Sequence, residues 1–436
     1  MPVSTVTIDL GVIDDGWAAE ADARPAGLPR GWGLLAAVGL VLSLASAVPL
    51  PEPPHEVTRQ PLRNGQFHLT GGALFVLESD RTPTPVEAFD AADGSTRWTY
   101  TPDGLSTLSF VTTDGDLAVL SPDLCRSGVT GTTFAVDLRT GRERWHATGV
   151  PVRTPPGVTG TVVLRSLWSD GCGALAANTS IAGTLRWQAI DGAGRTLWEV
   201  PVEPGTRVAV DTAEQGAVWA ALLDKQGGMS IVDFTTGARS SPVPGVFAGD
   251  LFAAAGDLLI VAGWDTSGTT LTAYGRDFRR RWESHVPTGP ASGRTDRLTV
   301  RPCAGALCVT GQRTAVLDPA TGVLLWTAAG RPALTTVPGG LLAAPAAGRV
   351  TLLDPATGLA VTELRGWDVL GVAGPRMLLG LQSADGTLLA WSAGPEVTPF
   401  ATVEGRLAGC ELDAALVACR TAADEVLLLR LPTSAP

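Results

Sequence analysis

Six cysteines are the side chains of this chain best suited to chemistry, and their number is even. Cys303 and Cys308 enclose Ala-Gly-Ala-Leu, and Cys410 and Cys419 enclose a second segment with the pattern of a hairpin. Cysteines this close can face each other across a turn, so the sequence predicts two local disulfides and export to an oxidising compartment. The alternative at Cys303 and Cys308 is a metal site, although no second pair of cysteines or histidines follows nearby.

The remaining pair, Cys125 and Cys172, is expected to form a third, long-range disulfide. Both residues occupy similar positions in consecutive units of the repeat described below. They could therefore bridge adjacent loops, and elimination also leaves them as partners for each other.

The sequence predicts no catalytic residue, no metal site and no cofactor. The histidines do not have the spacing of metal ligands, and no Gly-x-Ser-x-Gly elbow or phosphate-binding Gly-rich loop is present. The four histidines are His55, His68, His146 and His285. The segment Asp114-Gly115-Asp116 has some character of a calcium loop, but turn chemistry explains it and no Glu ends the loop. Cofactor-binding residues stay unassigned.

A repeated unit has to position these side chains. In each full copy an apolar strand ends in Asp, a turn containing Gly follows, and Trp comes four residues after the Gly. The full copies are AFDAADGSTRW (Asp90, Gly94, Trp98), AVDLRTGRERW (Asp137, Gly141, Trp145) and VLDPATGVLLW (Asp318, Gly322, Trp326). The partial copies are IVDFTTGARSS (Asp233, Gly237), LLDPATGLAVT (Asp354, Gly358), AIDGAGRTLW (Asp191, Trp198) and AYGRDFRRRW (Gly275, Trp282). Successive copies are 36 to 54 residues apart, which predicts four-stranded propeller blades.

Turn chemistry explains why Asp and Gly recur. An Asp side chain accepts a hydrogen bond from the backbone two residues on, and Gly takes the left-handed conformation that reconnects the strands. The Trp then lies on the partner strand, where its large apolar side chain is expected to fill the space between neighbouring blades. A ligand-binding role for these Trp residues is the less favoured interpretation.

From roughly residue 60 to residue 432 the chain resembles the pyrroloquinoline-quinone-like (PQQ-like) β-propeller repeat proteins, whose repeat has the same strand, Asp-x-x-Thr-Gly turn and Trp. The resemblance implies one all-β propeller of four-stranded blades, with eight blades as the first expectation and seven as the alternative. The family includes quinoprotein dehydrogenases, outer-membrane assembly lipoproteins and sensor domains of membrane kinases. Eight units carry the motif or a weak form of it, and a strand-rich tail follows from Gly405 to Leu431. Either one segment is not a full blade, or the tail pairs with the N-terminal strands to close the ring.

The N-terminal residues predict a membrane anchor. Residues 32–50 carry no charge over 19 positions, about the length that crosses the hydrocarbon core as a helix. Arg30 precedes this segment and Glu52 and Glu56 follow it, so the positive-inside rule places the N-terminus in the cytoplasm. The expected regions are a cytoplasmic tail (1–31), a transmembrane helix or signal anchor (32–50), a Pro-rich linker (51–62) and an extracytoplasmic propeller (63–432). The alternative is a cleaved signal peptide, because the apolar segment also contains an Ala-Ser-Ala cleavage pattern.

Charge and composition narrow the function classes. The net charge is -11, and Lys225 is the single lysine among 32 basic residues, which argues against nucleic acid as a partner. A rigid ring with variable loops favours a non-enzymatic scaffold at the cell membrane that binds an envelope protein, a peptide or a glycan. The alternative that the resemblance implies is a PQQ-dependent oxidoreductase. Enzymes of that type carry a disulfide between adjacent cysteines, and this sequence has no Cys-Cys pair.

Overall fold

A computed structural model describes most of residues 54–431. The undescribed residues within that range are 79–80, 104–106, 123–130, 153–160, 166–184, 204–205, 211–216, 245–250, 265–267, 288–297, 312, 329–332, 345–349, 374–375 and 394–395. The described residues all belong to one unit of the chain, Pro51–Pro436. The expected cytoplasmic tail and membrane segment lie outside the described residues, and so do Cys125 and Cys172.

Among the described residues, 36 strands form nine antiparallel sheets of four strands each, and no helix is present. The predicted all-β propeller of four-stranded blades is confirmed, and we number the blades 1 to 9 along the chain. Blade 1 contains β2 Gln66–Thr70, β3 Ala73–Leu77, β4 Val86–Asp90 and β5 Thr96–Tyr100. Blade 2 contains β6 Leu108–Asp114, β7 Leu117–Pro122, β8 Thr132–Asp137 and β9 Glu143–Thr148. Blade 3 contains β10 Val150–Val152, β11 Thr161–Arg165, β12 Leu185–Asp191 and β13 Thr196–Val202. Blade 4 contains β14 Arg207–Val210, β15 Trp219–Leu223, β16 Gly228–Asp233 and β17 Val243–Pro244. Blade 5 contains β18 Leu251–Ala255, β19 Leu258–Trp264, β20 Thr269–Gly275 and β21 Arg280–Val286. Blade 6 contains β22 Thr299–Cys303, β23 Ala306–Thr310, β24 Thr314–Leu317 and β25 Leu324–Ala328. Blade 7 contains β26 Ala333–Val337, β27 Gly340–Ala344, β28 Val350–Leu353 and β29 Ala360–Leu364. Blade 8 contains β30 Trp367–Ala373, β31 Arg376–Ser383, β32 Gly386–Ala393 and β33 Glu396–Val403. Blade 9 contains β34 Leu407–Asp413, β35 Leu416–Thr421 and β36 Glu425–Arg430, together with β1 His55–Pro61.

The first strand of each blade is its inner strand and the fourth is its outer strand. Inner strands of successive blades contact each other, as β2 contacts β6 and β18 contacts β22, and β34 of blade 9 contacts β2 of blade 1. The ring closes because β1 pairs antiparallel with β36 and becomes the outer strand of blade 9. Residues 55–61, which the sequence places in a linker, therefore form a strand of the propeller.

The propeller has nine described blades, so the expected number of eight is one too low. The segment that the sequence presents as a tail forms three strands of blade 9 and pairs with the N-terminal strand, which is one of the two alternatives left open. Blade 9 has no copy of the motif for a topological reason. Its outer strand comes from the other end of the chain, so no Asp turn joins its last two strands.

The hydrophobic core lies between neighbouring blades. Trp187 of blade 3, for example, stacks on Phe234 of blade 4 with 5.0 Å between ring centroids, in a cluster of buried residues that both blades supply. Similar clusters join blades 1 and 2, 5 and 6, and 8 and 9. Each sheet thus buries apolar side chains on both faces, as stacked repeats require.

Two disulfides join the first and second strands of their blades. Cys303 and Cys308 lie on β22 and β23 with their Cα atoms 5.8 Å apart, and the turn between these strands contains Gly305. Cys410 and Cys419 are cross-strand partners on β34 and β35, with Cα atoms 4.1 Å apart. Both pairings are those that the sequence spacing predicts. The described residues include no helix with the length and apolarity to cross a bilayer.

Candidate functional site

The motif Asp organises the turn between the third and fourth strands. Asp354 Oδ1 accepts hydrogen bonds from the backbone N of Thr357 at 2.8 Å and from its hydroxyl at 2.8 Å. The same contacts recur at Asp137, Asp233 and Asp318. The Thr357 hydroxyl and backbone hydrogen bonds hold the pKa of Asp354 below its usual value. These carboxylates are therefore structural acceptors in turns.

The motif Trp and the motif Gly meet across a blade junction. The indole of Trp98 in blade 1 lies on Gly141 in blade 2, where an added Cβ would stand 2.6 Å from the ring atom Cδ2. The other pairs are Trp145 with Gly194, Trp198 with Gly237, Trp282 with Gly322 and Trp326 with Gly358. Gly194, which the sequence analysis did not single out, thus has the position of the motif Gly in the shortened turn of blade 3.

Three of these indoles also form hydrogen bonds to the neighbouring turn. Nε1 donates to the backbone carbonyl of the residue after the motif Asp, and the pairs are Trp98 with Leu138 at 2.9 Å, Trp282 with Pro319 at 2.8 Å and Trp326 with Pro355 at 2.8 Å. Gly94 of blade 1 faces the closing strand, where Thr58 contacts it in place of a Trp. The remaining motif glycine, Gly275, ends β20. The atoms nearest to an added Cβ at this position belong to Arg281 and Asp277 of the same blade. With the exception of Gly275, the motif Gly residues and the Trp residues that contact them are thus placed at blade junctions.

In blades 1 and 2 an arginine directly before the Trp pairs with the motif Asp, whereas blade 3 has Leu197 at this position. Arg97 lies 2.9 Å from Asp90, and Arg144 lies 2.5 Å from Asp137. In blade 6 the corresponding residue is Leu325. In blade 7 it is Val361, because Thr362 occupies the position that the motif Trp has in other blades. The turn Asp of these two blades is consequently bound by its Thr and by backbone N–H groups.

In blades 6 and 7 all three residues between the motif Gly and the position of the motif Trp are apolar. Other blades have Ser95-Thr96-Arg97, Arg142-Glu143-Arg144, Arg195-Thr196-Leu197 and Arg279-Arg280-Arg281 there, whereas blades 6 and 7 have Val323-Leu324-Leu325 and Leu359-Ala360-Val361. The exposed fractions are 59% for Val323, 36% for Leu324, 37% for Leu325, 69% for Leu359 and 46% for Val361. Because Trp326 contacts Gly358, the two runs are neighbours on the surface. We call these six residues the apolar edge.

The outer strand of blade 6 differs from the other outer strands in composition. β25 (Leu324–Ala328) has no charged residue and no proline. Every other outer strand of five or more residues in the described part of the chain has at least one charged side chain, namely Glu56, Arg97, Glu143, Glu199, Arg280, Glu363 and Glu396. Charged side chains are the usual protection of a sheet edge against pairing with another chain. β25 lacks this protection.

Arginines of blade 5 border the apolar edge. Trp282 packs on Gly322, so the outer strand of blade 5, which begins with Arg280 and Arg281, runs next to the turn that leads into Val323. Arg281 and Arg280 form ion pairs with Asp277 at 3.2 Å and with Glu283 at 3.0 Å. Arg279 is 85% exposed and reaches Asp277 only at 4.0 Å. A basic surface therefore adjoins the apolar edge in a chain whose net charge is -11.

Two histidines form polar contacts elsewhere in the ring. His68 on β2 lies 3.2 Å from Glu411 on β34, whose second oxygen accepts the backbone N–H of Leu69 at 2.7 Å. This contact joins the inner strands of blades 1 and 9, where the ring closes. No sequence pattern points to it, because the two residues are 343 positions apart.

The second polar group lies at the outer side of blades 1 and 2. Tyr100 donates a hydrogen bond to Glu143 at 2.5 Å, and His146 lies 2.7 Å from the other oxygen of Glu143. Burial, together with the adjacent carboxylate, raises the pKa of Tyr100 above its usual value. Tyr100 is therefore a hydrogen-bond donor and not a proton source near neutral pH. Within the described residues, no group of three or more His, Cys, Asp or Glu side chains is arranged to hold a metal ion.

A family model described as outer membrane protein assembly factor BamB matches residues 57–161, which include blades 1 and 2 and all but the first two residues of β1. The chain contains PQQ-like propeller repeats. No protein with a curated description matches the chain in sequence. The described junctions show why the repeat keeps its Asp, Gly and Trp together: each full copy supplies the turn for one neighbour and the indole for the other.

Several solved structures are similar to the chain at low identity. BamB from Moraxella catarrhalis is 16% identical over 87% of this chain and 100% of its own, with a TM-score of 0.42. Quinohemoprotein alcohol dehydrogenase from Comamonas testosteroni is 12% identical over 88% of this chain and 77% of its own, with a TM-score of 0.41. Sqt1 from Saccharomyces cerevisiae is 10% identical over 88% of this chain and 99% of its own, with a TM-score of 0.48.

Proposed function

We propose that this protein is a membrane-tethered, extracytoplasmic scaffold that binds a partner protein at the apolar edge of blades 6 and 7. The observation that carries the proposal is the replacement of charged residues by exposed apolar residues at repeat-equivalent positions of two neighbouring blades. Isolated apolar side chains are normal on a protein surface, but a contiguous group of them marks an interaction site.

The Trp contacts at the blade junctions beneath the apolar edge favour binding. Trp282 and Trp326 each fix the neighbouring turn by packing on its Gly and by a hydrogen bond to its backbone carbonyl. The residues that follow these glycines, Val323 and Leu359, are therefore held by the repeat itself. A preformed surface loses little conformational entropy on association, so more of the contact energy remains for binding.

The cysteines and the N-terminal sequence support an extracytoplasmic, membrane-attached location of the scaffold. The disulfides Cys303–Cys308 and Cys410–Cys419 support an oxidising environment. The uncharged segment 32–50 supports attachment to a membrane, and the charges around it support an N-terminus in the cytoplasm. The partner would accordingly be a protein of the cell envelope.

The test uses substitutions that the repeat already tolerates. Leu325→Arg and Val361→Arg install the arginine that blades 1 and 2 have in this register, where it can pair with the motif Asp. The matched control is Leu197→Arg in blade 3, because Leu197 also precedes a motif Trp and is 54% exposed. The full chain and each variant are used to capture partners from envelope membranes after cross-linking.

We expect one discrete partner with the wild type and with Leu197→Arg, and its loss with Leu325→Arg and with Val361→Arg. A partner that all four proteins capture equally would contradict binding at the apolar edge. Addition of quinone and calcium to the purified chain distinguishes the oxidoreductase alternative. A quinone absorption band that stays with the protein through gel filtration would favour that alternative.

A further inference from the structure

We infer that the partner binds as an extended strand along β25, which makes it the fifth strand of blade 6. The partner segment is apolar where it lies on β25 and acidic where it reaches the arginines of blade 5. This inference rests on the proposed function, since it specifies how the apolar edge is occupied.

The main chain of β25 selects an extended segment. β25 pairs with β24 through Ala315–Thr327 and Val316–Trp326, and it is the last strand of its sheet. Its other edge presents backbone N–H and C=O groups, which bind an added strand in the β-augmentation mode of recognition. The β25 side chains add no charge that would repel an apolar strand.

A second copy of this chain fits the edge less well than a different partner does. Each copy has a net charge of -11, which opposes association of two copies. Five residues of strand also provide far less than the roughly 1,200 Å² of buried surface that a stable protein interface needs. A flexible segment of another protein, in contrast, can follow the strand and continue over Val361 of blade 7.

The arginines of blade 5 favour acidic residues at the ends of the partner segment. Arg279, Arg280 and Arg281 outnumber Asp277 and Glu283 around them, and Arg279 has the weakest ion pair of the three. Salt screens the distant negative charge of the chain beyond about 10 Å, so these nearby arginines dominate the interaction with a short segment, whereas two whole copies would bring many of their negative charges within that distance. Acidic residues that flank an apolar strand therefore complement this surface.

The experiment uses a labelled synthetic peptide, Asp-Asp-Val-Thr-Val-Thr-Val-Asp-Asp, and the purified full chain, with binding followed by fluorescence anisotropy. Two further peptides have backbone N-methyl groups on alternate residues, one on the odd set and one on the even set. Only one set of N–H groups can point towards β25. We therefore expect one methylated peptide to lose binding and the other to keep it.

The variants test the contact from the side of the protein. Leu325→Arg is expected to weaken peptide binding by more than about tenfold, whereas Leu197→Arg leaves it unchanged. Arg279→Glu is expected to weaken binding about twofold to fivefold for the acidic peptide, but not for a version with Asn in place of Asp. A urea unfolding curve for each variant separates loss of binding from loss of folding.

Absence of binding by the parent peptide, or equal binding by the two methylated peptides, would overturn the strand mode while the cross-linking test of the proposed function stands. Dimerisation of the full chain that Leu325→Arg abolishes would assign the edge to a second copy. Co-sedimentation with phosphatidylcholine vesicles that Leu325→Arg reduces would assign it to a lipid surface. Either result would overturn the inference.

Discussion

Trp326 of blade 6 lies on Gly358 of blade 7 and donates a hydrogen bond from Nε1 to the carbonyl oxygen of Pro355 at 2.8 Å. One side chain thus couples two blades by packing and by a hydrogen bond. The contact also brings the strand that carries Leu325 next to the turn that leads into Leu359, and both residues belong to the apolar edge.

The Trp–Gly contact predicts a large cost for adding one methyl group to the turn. Gly141 has a φ of 66° and an added Cβ would meet Trp98, whereas Gly115 has a φ of 58° and open space around it. We expect Gly115→Ala to cost about 1 to 2 kcal/mol and Gly141→Ala about 2 to 5 kcal/mol, because only the second adds a clash to the backbone strain. Urea unfolding measures both free energies. Equal losses would argue against the packing contact.

The indole hydrogen bond can be tested apart from the packing. Trp98 Nε1 binds the Leu138 carbonyl, but the buried Nε1 of Trp145 has no hydrogen-bond partner among the described residues. We expect Trp98→Phe to destabilise the protein by about 1 to 3 kcal/mol more than Trp145→Phe, since it leaves a carbonyl without its donor. Thermal unfolding of the two variants provides the comparison, and a larger loss for Trp145→Phe would be the opposite of the expected order.

The motif Asp residues predict an acid-dependent loss of stability. The Thr357 hydrogen bonds lower the pKa of Asp354 from its usual value of 3.8. A carboxylate with a lowered pKa in the folded state contributes stability above the unfolded-state pKa, and this contribution disappears as the pH falls through the folded-state pKa. We therefore expect the urea midpoint to fall less steeply below pH 3.8 in Asp354→Asn than in the wild type. Asp368→Asn, at an exposed position of β30, serves as the control and should follow the wild-type slope.

The cysteines predict a fully oxidised protein. Mass spectrometry of the unreduced full chain should find Cys303–Cys308, Cys410–Cys419 and the long-range link Cys125–Cys172, with no free thiol. The third link closes a loop of about 48 residues and is expected to stabilise by about 4 kcal/mol on the chain-entropy model, more than either short hairpin loop. Alkylation of Cys125 and Cys172 in the native, unreduced protein would show that this pair does not form.

The sequence was sufficient for the blade architecture because its turn requires Asp and Gly at fixed spacing. It was not sufficient for the blade number, since β1 and β36 pair across almost the whole chain and leave no local motif in blade 9. It also did not show that Trp98 and Gly141 form one contact, because each belongs to a different copy of the repeat. The spacing of the copies carries no information about which neighbour a side chain faces.

The apolar edge could have been found by comparing the copies in register, since Val323-Leu324-Leu325 replaces charged residues within an otherwise complete motif. What the sequence could not supply is the exposure of these side chains. An apolar strand next to a motif Trp is equally compatible with a buried position. The pairing of His68 with Glu411 was beyond sequence analysis for a different reason, because only ring closure brings the two residues together.

The most direct measurement is site-specific photo-cross-linking of the full chain in envelope membranes, with the photoreactive residue at position 359 or at the control position 197. Leu359 and Leu197 are both exposed and both lie beside a motif Trp contact, but only Leu359 belongs to the apolar edge. We expect one discrete cross-linked product from position 359 that Leu325→Arg abolishes, and none from position 197. The same product from both positions, or no product from position 359, would contradict a partner-binding apolar edge.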